Sequence, residues 1–130
     1  MRHLDTNIVI AYLNGNHIVA DRLKAHLPDV GMSTLVLAEL RYGARASSKV
    51  SENLARLEQF VTIIDLVEFD QASADIYSQI RLELRRKGRP TGEMDLLIAS
   101  VAMANKAILV TNNTKHFAQI DGLMLEDWLI

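Results

Sequence analysis

The sequence predicts an α/β fold on a central, mainly parallel sheet of about five strands, and three observations carry that prediction. Short apolar or β-branched runs alternate with helix-length segments from one end of the chain to the other, a pattern that lays helices over both faces of a parallel sheet. The chain has 130 residues, the length of one domain, expected to span 1–130. Hydrophobic residues make up 49% of it, enough for a core without disulfide or structural metal.

The elements follow in order. Arg2 to Leu4 is a first strand and Thr6 to about Leu13 a helix, with Thr6 able to serve as its cap. After the break Asn14-Gly15-Asn16, a helix runs from about Ile18 to His26, and Val30 to Met32 is a second strand. Ser33 or Thr34 caps a helix reaching about Ala46, because a hydroxyl there accepts from free first-turn amides. Ser51 starts a helix with apolar spacing at Leu54, Leu57 and Val61, and the β-branched run Thr62 to Leu66 is a third strand. Asp70 caps a helix from Gln71 to about Arg86, whose stripe includes Ala74, Tyr77, Ile80 and Leu84. A loop over 87–92 leads to a helix from Glu93 to Asn105 that is apolar on nearly every side and therefore deeply buried. Ala107 to Val110 is a strand, His116-Phe117 a short turn or helix, and Leu123 to Leu125 a last strand.

Composition excludes several functions. The chain has no cysteine, hence no thiolate nucleophile and no cysteine-based zinc site. A net charge of −2 argues against a general nucleic-acid coat, though not against a nucleic-acid enzyme with a local basic patch. Aromatic residues are 5%, too few for successive base-stacking platforms. The opening Met1-Arg2-His3-Leu4-Asp5 lacks the build of a signal peptide, and no apolar run matches a bilayer span, so a cytoplasmic location away from membranes is expected.

Three acids stand where a parallel sheet would bring them together. Asp5 ends the first strand, Glu39 lies in the otherwise apolar "STLVLAELRYGA", and Asp95 opens the buried helix "EMDLLIASVAMA". Asn113 lies just past the fourth strand. In open parallel sheets, functional groups collect beyond the carboxyl ends of the strands. Gathered carboxylates raise one another's pKa values, and a divalent cation removes that penalty. Magnesium takes oxygen ligands, keeps several waters and uses one or two carboxylates directly; such an ion activates water and polarises a phosphoryl oxygen. Each acid also has a plainer reading: Asp5 as a cap or turn residue, Glu39 as a solvent-facing side chain, Asp95 as a cap favoured by the helix dipole.

Four segments in this order resemble the PIN-domain family: "LDTNIVI", "LAELRYGA", "MDLLIASVA" and "LVTNNTKHF". More narrowly, the chain resembles the VapC-type toxin ribonucleases of type II toxin–antitoxin systems, and the likeness extends to the closing "GLMLEDWL". The resemblance implies a PIN-like three-layer α/β/α fold and an endoribonuclease dependent on Mg²⁺, with Mn²⁺ as the alternative. It implies Asp5, Glu39 and Asp95 as the acidic active-site residues. Asp5 and Asp95 are then the direct metal ligands, with Glu39 binding through water or positioning the attacking water. Thr6 and Thr111 match hydroxyl positions that hydrogen-bond the acids or bound water. It further implies a homodimer, a VapB-type antitoxin laid over the acids, and an RNA substrate, with initiator tRNA suggested by enteric relatives and other tRNAs or rRNA as the alternatives. Apolar faces around Ile10 to Leu13 and Leu35 to Tyr42 are candidate walls for such a partner. Asn113 departs from the pattern, since many PIN domains carry a fourth acid there; one protein-held metal is expected as a result.

The densest positive run, Arg81, Arg85, Arg86, Lys87 and Arg89, leads toward Asp95. Arginine forks match phosphate oxygens, so Arg81, Arg85 and Arg86 are candidate RNA-binding residues; a solvated helix C-terminus favours cations equally. Arg41 and Arg45 are a second such pair. Glu93 is expected to cap, and the histidines His3, His17, His26 and His116 are expected at surface or packing positions. Three rival readings remain. A phosphate-accepting receiver domain would use Asp65 with Thr111 and Lys115, but it wants paired acids after strand one, where Thr6 and Asn7 follow Asp5. A haloacid-dehalogenase-type phosphatase lacks its second aspartate here. A catalytically silent PIN module would not need the three acids.

Overall fold

The computed structural model describes residues 1–89 and 91–130. The strands are β1 (Arg2–Leu4), β2 (Val30–Ser33), β3 (Asp65–Val67), β4 (Ile108–Val110) and β5 (Met124–Glu126). The helices are α1 (Thr6–Leu13), α2 (His17–His26), α3 (Thr34–Arg45), α4 (Val50–Val61), α5 (Gln71–Arg86), α6 (Glu93–Ala104) and α7 (Thr114–Phe117). All five strands form one sheet in the order β3-β2-β1-β4-β5, and every pairing is parallel. Parallel neighbours need long crossovers, which the helices supply, giving the three-layer α/β/α arrangement.

The first strand lies at the centre of the sheet, enclosed by apolar residues. Leu4, Val30, Met32, Leu109 and Val110 are fully buried in and around it. α6 buries Leu96, Ile98, Ala99, Val101 and Ala102, as its all-round apolar pattern predicts. Each large side chain of this kind contributes about 1.5–3 kcal/mol when buried. The closing segment is fastened to the sheet by Glu126, which accepts from Arg2 Nε at 3.0 Å and from Trp128 Nε1 at 2.6 Å. Trp128 is fully buried and stacks on His26, with ring centroids 5.6 Å apart.

Several boundaries differ from the sequence expectation. The third strand starts at Asp65, not Thr62, because Thr62 closes α4: its hydroxyl donates to the Gln59 carbonyl at 2.6 Å. α4 starts at Val50, one residue before the expected Ser51, and its N-cap Lys49 makes no side-chain capping bond. α2 begins a residue early because Asn16 Oδ1 accepts from the Val19 amide at 3.0 Å. Ala74 is exposed; α5 turns Ser73, Ile80 and Leu84 inward. Asp70 does cap α5, accepting from the Ser73 amide and hydroxyl, each at 2.9 Å. Asp65 is exposed at the start of an edge strand, at the end of the sheet opposite Asp5, which removes the receiver reading.

His3 is a polar side chain of β1 enclosed by the core. It registers against Gly31 and Leu109, and its Nε2 has no hydrogen-bond partner among the described residues. Burial, helped by the N-terminal ammonium, lowers its pKa to about 4. The unfolded chain takes up a proton on His3 near its ordinary pKa, while the folded chain resists until about 4. Stability is therefore full above the unfolded value and is lost as pH falls through that window. His3→Leu should remove this acid-side loss. The variant's stability relative to wild type should grow by roughly 3 kcal/mol between neutral pH and pH ~4, read from urea midpoints across pH.

Candidate active site

The carboxyl ends of the parallel strands share one edge, and two backbone hydrogen bonds extend the ladder past them. The Asp5 amide donates to Val110 O at 2.9 Å, and the Thr111 amide donates to Glu126 O at 2.9 Å. Asp5 and Thr111 are thereby set side by side. The Thr111 hydroxyl donates to Asp5 Oδ2 at 2.8 Å, and the Thr6 amide donates to Oδ1 at 2.8 Å. Asp5 is thus itself the N-cap of α1, correcting the expectation that Thr6 takes that duty. The Thr6 hydroxyl instead donates to Glu39 Oε1 at 2.6 Å. That bond turns Glu39 inward from α3 toward α1, against the solvent-facing reading.

Asp5 is only 5% exposed. Its pKa is raised, chiefly because burial penalises the charged form; Thr111 and the Thr6 amide partly oppose this, and the charges of Asp95 and Glu39 push it further up. The charges of the other two predicted acids therefore both reach Asp5 across the sheet edge. Asp95 lies in the first turn of α6, whose N-cap Gly92 makes no side-chain capping bond. Its Oδ2 sits 3.6 Å from His116 Nδ1.

Two neighbours escaped the sequence reading. Asn7 lies with its Nδ2 3.4 Å from Thr111 Oγ1 and its Oδ1 accepting from the Asn112 amide at 3.0 Å, tying α1 to the loop after β4. The doubled "TN" of "LDTN" and "VTNN" is its signal. His116 is at the surface, as expected, and there also stands beside an acid; a lone histidine carries no spacing that would reveal that neighbour. Asn113 reaches the cluster through its backbone, donating to Thr111 Oγ1 at 3.0 Å, while its side chain is exposed. Glu93 is not a simple cap: it accepts from the Tyr77 hydroxyl and from Arg81 Nη1, the latter at 3.2 Å. Arg81 is therefore engaged in an ion pair, as Arg41 is with Glu58 at 3.1 Å.

The acids and their neighbours offer oxygen donors, with His116 the exception, which suits a hard divalent cation. Among the described residues no three acidic or histidine side chains already converge into a metal cage. Asp5 and Asp95 with water ligands fit an ion that uses few carboxylates directly.

A PIN domain family model matches residues 3–123. A tRNA(fMet)-specific endonuclease VapC of Shigella flexneri is 43% identical over 126 residues, covering 96% of each chain. The chain belongs to the VapC family of PIN domains. Ribonuclease VapC2 of Rickettsia felis is 39% identical over 128 residues, again covering 96% of each chain. Among solved structures, this PIN domain matches DNA-bound VapBC from Salmonella typhimurium with a TM-score of 0.94 and 35% identity, over 98% of this chain and 97% of that one. It matches VapBC2 from Rickettsia felis, bound to a promoter DNA fragment, with a TM-score of 0.93 and 37% identity over 98% of both chains.

The buried charge of Asp5 opposes folding of this PIN domain. A raised folded pKa means that protonation stabilises the fold below the unfolded pKa, and that this contribution is lost as pH rises through the folded value. Asp5→Asn keeps the shape and the acceptor for the Thr6 amide, while its Nδ2 takes the place of Oδ2 and donates to Thr111 Oγ1 in the reverse direction. Its melting temperature in chelator should exceed that of wild type at neutral pH, and the excess should shrink as pH falls toward ~4, checked by calorimetric scans.

Proposed function

We propose that this chain, as one PIN domain over 1–130, is the toxin of a VapB–VapC pair: a cytoplasmic Mg²⁺- or Mn²⁺-dependent endoribonuclease that cuts RNA and blocks translation. The observation that carries this reading is the buried Asp5, fixed by Thr6 and Thr111 and pressed by the charges of Asp95 and Glu39. Asp5 and Asp95 would hold the metal. When bound, a divalent ion supplies charge neutralisation, an acidified water and a polarised phosphoryl oxygen. Asp5 is oriented for this by donors on both its oxygens. Glu39, aligned by the Thr6 hydroxyl, orients the attacking water. Asn113 adds no charge, which favours a single protein-held ion.

tRNA is the substrate class favoured by the Shigella relative's name. The antitoxin reading is supported by the VapBC assemblies among the neighbours and by a groove beside Glu39. This groove, about 250 Å³, is walled by Ile10, Leu13, Leu40, Ala44 and Leu57, so a peptide with apolar anchors would end at the acid. The VapC unit is proposed to work as a homodimer when free and to join a larger complex with VapB.

Purified protein incubated with total RNA and Mg²⁺ or Mn²⁺ should release discrete fragments, and Asp5→Ala should release none. Cleavage in chelator, or equal cleavage by the variant, refutes the mechanism. Calorimetric titration of metal should give one site without RNA. Thr111→Val, which removes a donor to the ligand Asp5, should weaken that site about 10- to 100-fold.

A further inference from the structure

A cleft of about 410 Å³ opens between the end of α5 and the start of α6, with Arg81, Arg85, Arg89 and Thr91 around a floor of Leu84 and Leu96. We propose that this cleft is a remote phosphate subsite for RNA, in which Arg85 and Arg89 grip a backbone phosphate away from the bond that is cut. The inference rests on the ribonuclease reading and adds to it a requirement on substrate length.

The chain turn that ends α5 builds the grip. Gly88, at φ +67°, takes the left-handed conformation that glycine adopts without strain. The Gly88 amide then donates to Arg85 O at 3.1 Å and the Arg89 amide to Leu84 O at 2.9 Å, the paired bonds of a Schellman turn. Arg89 is thereby folded back onto the helix end beside Arg85, though it lies outside the helix. Arg85 and Arg89 have no ion-pair partner among the described residues, in a chain whose net charge is −2. The acids around them have other ion-pair partners: Lys87 holds Glu83 at 3.0 Å and Asp121 at 2.7 Å, Arg81 holds Glu93, and Arg89 acts on Asp121 only from beyond ion-pair distance. Simple neutralisation of the α5 dipole would be served by Arg86 and Lys87 alone.

The remaining wall completes a phosphate site. Gln119 Nε2 donates to Thr91 Oγ1 at 2.9 Å, leaving the Thr91 proton free to donate to a phosphate oxygen. Leu84 and Leu96 are buried and lower the local dielectric under the guanidinium groups. Arginine suits this because its planar fork matches two phosphate oxygens. Gly92 links the cleft lining to the acids. Thr91 and Leu96 flank Asp95 along the chain, and the intervening Gly92 has no side chain: a Cβ there would lie 3.7 Å from Asp95 Oδ2. A strand crossing Gly92 meets both sites. Arg81, expected to bind RNA, lines the cleft but is held by Glu93, and Arg86 is not part of the lining. Arg85 and Arg89 are the gripping pair.

The test uses the full chain, Ca²⁺ in place of Mg²⁺ so that the acids hold a metal while cleavage is suppressed, and two labelled single-stranded RNAs, one too short to reach from the acids to the cleft and one long. R85A/R89A should bind the long RNA about tenfold or more weakly, with a salt slope smaller by roughly 0.7 for each phosphate the variant no longer neutralises. Binding of the short RNA and the melting temperature should stay as in wild type, and Arg86→Ala should change neither RNA's binding. In Mg²⁺ the double variant should show a raised KM on long RNA with kcat kept. Wild-type cleavage of RNA together with unchanged affinity and slope in the double variant overturns the subsite alone, as does equal loss on both lengths. Loss of a VapB-type partner with RNA binding intact assigns the cleft to that partner and also overturns it. A wild-type chain that neither binds nor cuts RNA overturns the subsite and the ribonuclease reading together.

Discussion

The site depends on one hydrogen bond more than on any other, from the Asp5 amide to the Val110 carbonyl. It continues the parallel ladder one residue beyond β1 and sets the last ordered backbone position of the strand beside Thr111. Everything at the acid cluster follows from that register. Slipping a strand by one residue would turn its side chains to the opposite face, removing the Thr111 hydroxyl from Asp5 and Leu4 from the core at once. Packing and chemistry are therefore specified by the same pairing, which is why the central strand needs only three residues to place a carboxylate.

The register also obliges the chain to hold a charge where water is scarce. The Thr111 hydroxyl and the Thr6 amide offset part of that cost, but Asp95 and Glu39 add to it. Asp5 caps α1, and it is surrounded by like charges and neutral donors rather than by an opposite charge. Among the described residues no basic side chain pairs with Asp5 or Glu39, and only the exposed His116 stands by Asp95. Such an arrangement makes sense as a preorganised receiver of positive charge, where stability is given up so that binding can recover it.

The sheet and the acids are legible in the sequence for different reasons. Alternation of apolar runs with helices predicts five parallel strands, and β1 and α1 fall on their predicted bounds, because burial on both faces leaves a strong local pattern. The third strand does not, since Thr62-Ile63 is β-branched yet ends a helix through a hydroxyl bond to Gln59. Asp5, Glu39 and Asp95 are legible because an acid among apolar residues conflicts with local packing. Asn7, His116 and the Glu93–Arg81 pair are not, because each gains its meaning from a partner far along the chain. Thr6 shows the same limit in a single residue: as a helix-start hydroxyl it reads as a cap, and only the approach of α3 turns it to Glu39.

Charge is the property that joins the fold to its proposed task. An acidic centre repels RNA, and a chain of net charge −2 cannot overcome this by its overall field. The remedy lies in separation. Positive residues are concentrated at the C-terminal end of α5, where the helix dipole already favours them, and the neighbouring acids are occupied by Lys87 and Arg81. α6 begins beside this basic end and carries Asp95 in its first turn, so the attractive and the repulsive fields meet at the foot of one helix. On the proposed reading a polyanion would be drawn by the arginines while its reactive bond is carried to the acids, with Gly92 the side-chain-free step between the two.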